Sequence, residues 1–254
     1  MRIFRLLTAA AVIAAAHPLS AQDSFELEVY RHKTATRGEW ELEPHFTFSG
    51  VGTRLPDGSV VATNHQIHLA LEVTRGLTGH WEIAAYGLMA RQPGEEPEYA
   101  GWRLRSRLSA PEEWELPLQL ALNVEMSYTR PIFDDHTYAL EITPIIGRRF
   151  GPVLLHVNAA VERPLTGSDS GKWEFEPSAR AAVTVGPAVD LTLEYFSALG
   201  PLTTLNPVRQ QVHQVFPGLV LRLGDDLSWS AGVGYGLTGS GDRMVAKTAF
   251  EVEL

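Results

Sequence analysis

The chain has 254 residues, 44% of them hydrophobic and 20% charged, with a formal charge of -9. It is too apolar and too aromatic for a disordered chain, and its acidic balance argues against a nucleic-acid partner, which needs clustered Lys and Arg. The absence of cysteine excludes disulfides, thiolate metal sites, a Cys nucleophile and a lipid-modified N-terminal Cys. The first segment reads as an address. Arg2 and Arg5 precede the apolar run from Leu6 to Ala16, His17 and Pro18 break it, and Ala21 offers a cleavage position, so residues 1–21 are expected to be an export signal. No other apolar run is long enough to cross a membrane as a helix. In residues 22–38, Phe25, Leu27 and Val29 alternate weakly, which leaves open a periplasmic extension, a plug or an extra strand.

From residue 39 to the end the pattern has a period of two, as strands require when their two faces meet different surroundings. One face is apolar in twelve successive segments. They run from Trp40 to Phe48, Ile67 to Val73, Trp81 to Met89, Trp102 to Leu108, Leu118 to Tyr128 and Tyr138 to Ile146. They continue from Val153 to Val161, Trp173 to Val183, Val189 to Tyr195, Val215 to Leu221, Leu227 to Leu237 and Ala246 to Leu254. The opposite face carries Glu72, Arg103, Arg105, Arg107, Glu125, Glu141, His156, Asn158, Glu162, Glu174, Glu194 and Lys247, with small residues such as Gly232, Gly234 and Gly236 between them.

So many greasy faces on one chain exceed what a small soluble core can bury, and an up-and-down soluble barrel usually stops near eight strands. In lipid every backbone group must be paired within the protein, so a spanning sheet has to close. The segments are about as long as a tilted strand needs to cross. Longer connections alternate with short ones, the outer-membrane pattern, which puts both termini on the periplasmic side. Trp40, Trp81 and Trp229 fall near one end of the outward faces, and Trp102, Tyr128, Tyr138, Trp173, Tyr195 and Tyr235 near the other, as two interfacial girdles. The expected fold is an all-β, antiparallel up-and-down transmembrane barrel over residues 39–254, with about twelve strands. Ten or fourteen remain open, because Pro44, Pro144, Pro177 and Pro217 lie inside strand patterns and the register is ambiguous around Phe216.

Two stretches carry resemblances. The C-terminal Phe250-Glu251-Val252-Glu253-Leu254 resembles the terminal signal of outer-membrane proteins, with Leu in place of the final aromatic residue. That resemblance implies contact of Phe250, Val252 and Leu254 with the barrel-assembly machinery. Thr74-Arg75-Gly76-Leu77-Thr78-Gly79-His80-Trp81-Glu82, and the hairpin that follows with Gly101, Arg103, Arg105 and Arg107, are similar to putative outer-membrane transporters of the meta-pathway phenol-degradation family. This implies a passive or substrate-selective pore.

Among the inward residues, Arg103, Arg105 and Arg107 form a row that can attract anions. Neighbouring strands bring Glu82 near Arg107 and Glu125 near Arg103, an ordinary cross-strand pairing that leaves Arg105 the least paired. Glu141 and His156 complete the expected lumen lining. His68 and Glu72 share one wall, but no third metal ligand is identifiable, so no metal, cofactor or catalytic residue is assigned. None of the nine His is followed two residues later by Ser, the arrangement of an outer-membrane phospholipase. The expected function is diffusion of small solutes through a narrow charge-lined lumen in a monomeric outer-membrane barrel, surrounded by lipid. A closed-lumen binding or adhesion barrel and an outer-membrane hydrolase are the alternatives.

Overall fold

The computed structural model describes residues 24–167 and 170–254; the expected signal segment lies outside them. Twelve antiparallel strands form a closed barrel: β1 (Trp40–Val51), β2 (Ile67–Thr78), β3 (Trp81–Arg91), β4 (Glu98–Ser109), β5 (Gln119–Thr129), β6 (Tyr138–Phe150), β7 (Val153–Pro164), β8 (Glu174–Gly186), β9 (Val189–Ala198), β10 (Val212–Arg222), β11 (Leu227–Gly236) and β12 (Met244–Glu253). Each strand pairs with its neighbours in sequence, and β1 pairs with β12 to close the ring. Closure leaves no sheet edge unpaired, the condition for a sheet in hydrocarbon. At one end the connections are mostly tight, at 79–80, 151–152, 187–188 and 223–226. At the other they include the long segments 52–66 and 199–211.

Alternation sets the two faces. Phe46, Leu71, Ile83, Leu104, Val124, Met126, Ile146, Leu193 and Phe250 all point outward and are exposed. The girdle aromatics bond across strands: the Trp81 indole N–H donates to Ser106 Oγ at 2.9 Å, and that of Trp229 to Thr248 Oγ1 at 2.7 Å. Trp102, Tyr128 and Tyr138 make a chain of ring contacts at 6.4 and 5.0 Å.

The four prolines are accommodated one ladder at a time. Pro44 faces Leu71 of β2, while the β1–β12 pairing lapses between Leu42 and His45. Pro144 and Pro217 sit at similar lapses in the β6–β7 and β10–β11 ladders. Pro177 pairs with Ala159 of β7 and lies just before the β8–β9 ladder begins at Ser178. A missing N–H costs little where the partner strand makes no demand for it.

Phe216 turns inward and is fully buried, edge-on to Phe196 at 5.3 Å. The space is made by Gly234, where a Cβ would stand 2.2 Å from the Phe216 ring. Both rings pack with Leu27 and Val29, which come from the N-terminal segment. That segment, residues 24–38, lies inside the barrel. At one end Phe25 meets His68 near the start of β2 and Phe133 in the long connection after β5. At the other end Thr34 Oγ1 donates to the carbonyl of Gly79 in the β2–β3 turn, and Gly38 N–H to that of Gly76. The chain therefore runs the length of the lumen before turning back into β1.

The outward belt yields a direct test. Val124→Arg, in the middle of β5, is expected to cost about 2–4 kcal/mol in reversible unfolding from lipid vesicles, as for a charge facing the bilayer midplane. A cost below about 0.5 kcal/mol, as at an ordinary wet surface, would contradict a lipid-facing belt.

Candidate functional site: a charged lumen crossed by its own N-terminal segment

An extended segment in a lumen has to satisfy its backbone groups without ladder partners. Here the wall side chains do so. Asn158 acts as a stand-in peptide group: its Oδ1 accepts from Tyr30 N–H at 2.7 Å, and its Nδ2 donates to Tyr30 O at 3.1 Å. Ala35 N–H donates to Glu82 Oε2 at 2.6 Å, Lys247 Nζ to Leu27 O at 2.5 Å, and Arg107 Nη1 to Lys33 O at 3.2 Å.

The arginine row is built into this contact. Glu26, whose side chain is wholly buried, lies 2.6 Å from Arg103 Nη1 and 3.8 Å from Arg105 Nη1. Arg103 also pairs with Glu125 at 2.8 Å, and Arg107 with Glu82 at 3.4 Å, as the cross-strand reasoning expects. Arg105 departs from expectation. It is not the least paired of the three, for it reaches Glu72 at 2.5 Å and Glu82 at 3.2 Å as well as Glu26. Single-strand alternation placed Glu72 on the inward face but could not show that β2 and the segment both lean toward Arg105. Tyr30 lies between the guanidinium groups of Arg105 and Arg107, at 5.1 and 5.0 Å from its ring. Tyr86 faces Arg103 and Arg105 at 5.3 and 5.5 Å. Such planar stacking, together with forked hydrogen bonds, is what Arg provides and Lys does not.

His156 is buried on β7, and its Nε2 is 3.2 Å from Nδ1 of His32 in the segment, the rings 19° from parallel. His68 contacts no acid in this group; it packs against Phe25.

Space remains at both ends of the lumen. A cavity of about 450 Å³ at the short-turn end is lined by Arg31, Glu43, Arg180, Glu194, Lys247 and Glu251, among others. Its cations are held by acids: Arg31 by Glu251 at 2.9 Å, and Lys247 by Glu194 at 2.5 Å. A second cavity, about 70 Å³ at the long-loop end, is strongly acidic. Glu125 stands directly opposite Glu141, Glu141 opposite Glu162, and Glu162 opposite Glu174, on four consecutive strands. Like charges facing across a sheet repel, so this arc concentrates carboxylates on one wall, with Glu125 also paired to Arg103 and Glu162 to His136. Asp134 and His136 in the connection between β5 and β6 lean over it. Burial, reinforced by Glu162, pushes the Asp134 carboxyl up to about 7. Burial works against a charged His136 ring, but its bond to Glu162 at 3.2 Å and the nearby aspartates outweigh this and push it up to about 9.

The architecture defines the class: a closed, twelve-stranded antiparallel β-barrel. The solved structures it is similar to include the KdgM porin (TM-score 0.56, 5% identity, covering 84% of this chain and 98% of that one). They also include the NanC porin (TM-score 0.57, 7% identity, 85% and 100%) and the KdgM porin in complex with disordered oligogalacturonate (TM-score 0.54, 6% identity, 84% and 98%). No protein-family profile and no curated protein sequence matches the chain.

Two outcomes follow. Arg105→Met is expected to destabilise the barrel by about 3–5 kcal/mol in urea titrations, because it strands buried carboxylates without a partner; adding Glu72→Gln should recover part of the loss. A single-variant cost under about 1 kcal/mol would mean the row is solvated. For His136, a folded pKa above the unfolded value stabilises fully below about pH 6.5, and that contribution disappears as pH rises through about 9. NMR titration should place His136 near 9, falling toward 6.5 in Glu162→Gln; a wild-type value near 6.5 would remove the interaction.

Proposed function

We propose that this protein is an exported, non-enzymatic channel of the Gram-negative outer membrane, with its termini and short turns on the periplasmic side and its long connections outside. On this reading the C-terminal strand, through Phe250, Val252 and Leu254, engages the barrel-assembly machinery. On the same reading, the Thr74–Glu82 turn relates the chain to the phenol-degradation transporters it resembles.

The single observation that supports a selectivity is the arc of Glu125, Glu141, Glu162 and Glu174 at the long-loop mouth. Rows of carboxylates raise the local concentration of cations and repel anions. The arginines that could have reversed this preference are bonded to Glu26, Glu72, Glu82 and Glu125. The favoured solutes are therefore small cations or neutral molecules with a cationic group, passing beside the N-terminal segment. An acidic oligosaccharide, such as the oligogalacturonate solved with one of the similar porins, does not suit this mouth.

Planar bilayers with refolded protein under a KCl gradient test the reading. Discrete conductance steps with a reversal potential on the cation side are expected, and Glu141→Gln with Glu162→Gln should move that potential toward zero. Absence of steps from protein whose barrel is folded, by its heat-shifted gel mobility, would discard conduction; an anion preference would discard the role of the arc.

A further inference from the structure

One cluster of lumen side chains is not explained by the clamp on the N-terminal segment. On β1, Glu43 and His45 are successive inward positions, and Glu43 stands directly opposite Glu72 of β2. Two carboxylates in that relation repel unless something cationic lies between them. The Nε2 atom of His45 lies 3.4 Å from Glu43 Oε2 and 3.6 Å from Glu72 Oε2. Both side chains, His45 and Glu72, are more than nine-tenths buried, at 8% and 3% exposure. Yet Nε2 of His45 and Oε2 of Glu72 have no hydrogen-bond partner among the described residues. Glu72 is divided: its Oε1 takes Thr74 Oγ1 at 2.6 Å and Arg105 at 2.5 Å, while Oε2 is left facing the imidazole. From the N-terminal segment, Glu26 brings a ligand atom within 4.8 Å of those of His45 and Glu72, and Glu28 does the same for those of Glu43 and His45.

We infer that His45 and Glu43 on the wall, with Glu28 from the segment, form a divalent transition-metal site of the zinc type. The donor spacing supports this. Zinc bonded at 2.0–2.1 Å in a tetrahedron separates its donors by about 3.3–3.4 Å, matching the 3.4 Å from His45 Nε2 to Glu43 Oε2. The donor set is one imidazole with carboxylates and no sulfur. That suits zinc better than calcium, which takes six to eight oxygens. The charge balance supports it too. Arg103, Arg105 and Arg107 already face Glu26, Glu72, Glu82 and Glu125, so Glu43 and Glu28 add to an existing surplus of carboxylates. A metal here ties the segment to the wall near the middle of the lumen. The inference concerns binding and holds whether or not the barrel conducts.

The test uses the refolded barrel in detergent, stripped with chelator, titrated with Zn2+ alone by calorimetry, and assayed for zinc after gel filtration. One zinc per chain is expected, with Ca2+ failing to displace it. His45→Gln and Glu43→Gln should each weaken binding by about tenfold or more, given that even outer-shell changes cost 10–100-fold. His68→Ala, inward on the same wall but outside the cluster, should bind as the parent does. Heat-shifted gel mobility confirms that each variant is folded. No zinc in the parent, undiminished zinc in both His45→Gln and Glu43→Gln, or equal loss in His68→Ala would each overturn the site.

Discussion

The buried carboxylate of Glu26 between Arg103 and Arg105 organises the lumen. A glutamate with no solvent exposure is tolerable only if paired, and its partners belong to a barrel strand while it belongs to a segment outside the sheet. The cost of separating them fixes residues 24–38 along the wall. Once that segment is in place, the apolar side chains on either side of Glu26 need apolar neighbours inside what would otherwise be a wet pore. The wall provides them at Tyr86, Leu88, Phe196 and Phe216. Removal of the Cβ at position 234 gives Phe216 its room. Breaking the ion pairs would thus expose two apolar patches as well as unpaired charges.

The same interaction redistributes the lumen's charge. Three arginines on one strand suggest an anion path when taken alone. Held by carboxylates and by the rings of Tyr30 and Tyr86, they leave the acids on the far wall as the dominant field. The arginines are thus neutralised along β2 to β5, the acidic arc lies on β5 to β8 at the long-loop end, and the segment between them also packs against β7, β9, β10 and β12. The larger cavity at the opposite end contains ion pairs, Arg31 with Glu251, Arg222 with Asp190 and Lys247 with Glu194.

Strand number, the outward face and the order of long and short connections were legible because each depends on local alternation, which lipid enforces along every strand. The pairs of Arg107 with Glu82 and Arg103 with Glu125 were legible because each joins inward positions of adjacent antiparallel strands, the first directly opposite and the second on the diagonal. The acidic arc was not. Glu125, Glu141, Glu162 and Glu174 were each assigned inward, but their alignment depends on register summed over four strands, which alternation along one strand does not set. The pairing of Arg105 was missed for a related reason, since Glu26 lies in a segment whose pattern is weak and Glu72 lies two strands away. His45 was not legible as a ligand because its carboxylate neighbours come from β2 and from the N-terminal segment, not from its own strand. Glu43 reads as inward from alternation alone, and His45 is the next inward position on the same strand. Phe216 defied its strand's apolar side because its receptor is a segment inside the barrel.

The placement of that segment in the lumen is the claim on which the charge assignments rest, and the chain's lack of cysteine makes it directly testable. Thr34 Oγ1 in the segment is 3.5 Å from Ser109 Oγ at the end of β4, so Thr34→Cys with Ser109→Cys sets two thiols within reach of a disulfide. In membranes under mild oxidation, a loss of free thiol with the gel mobility of an internally cross-linked chain is the predicted result. Two thiols that stay free and are labelled from the short-turn end, in a barrel that is otherwise folded, would contradict it.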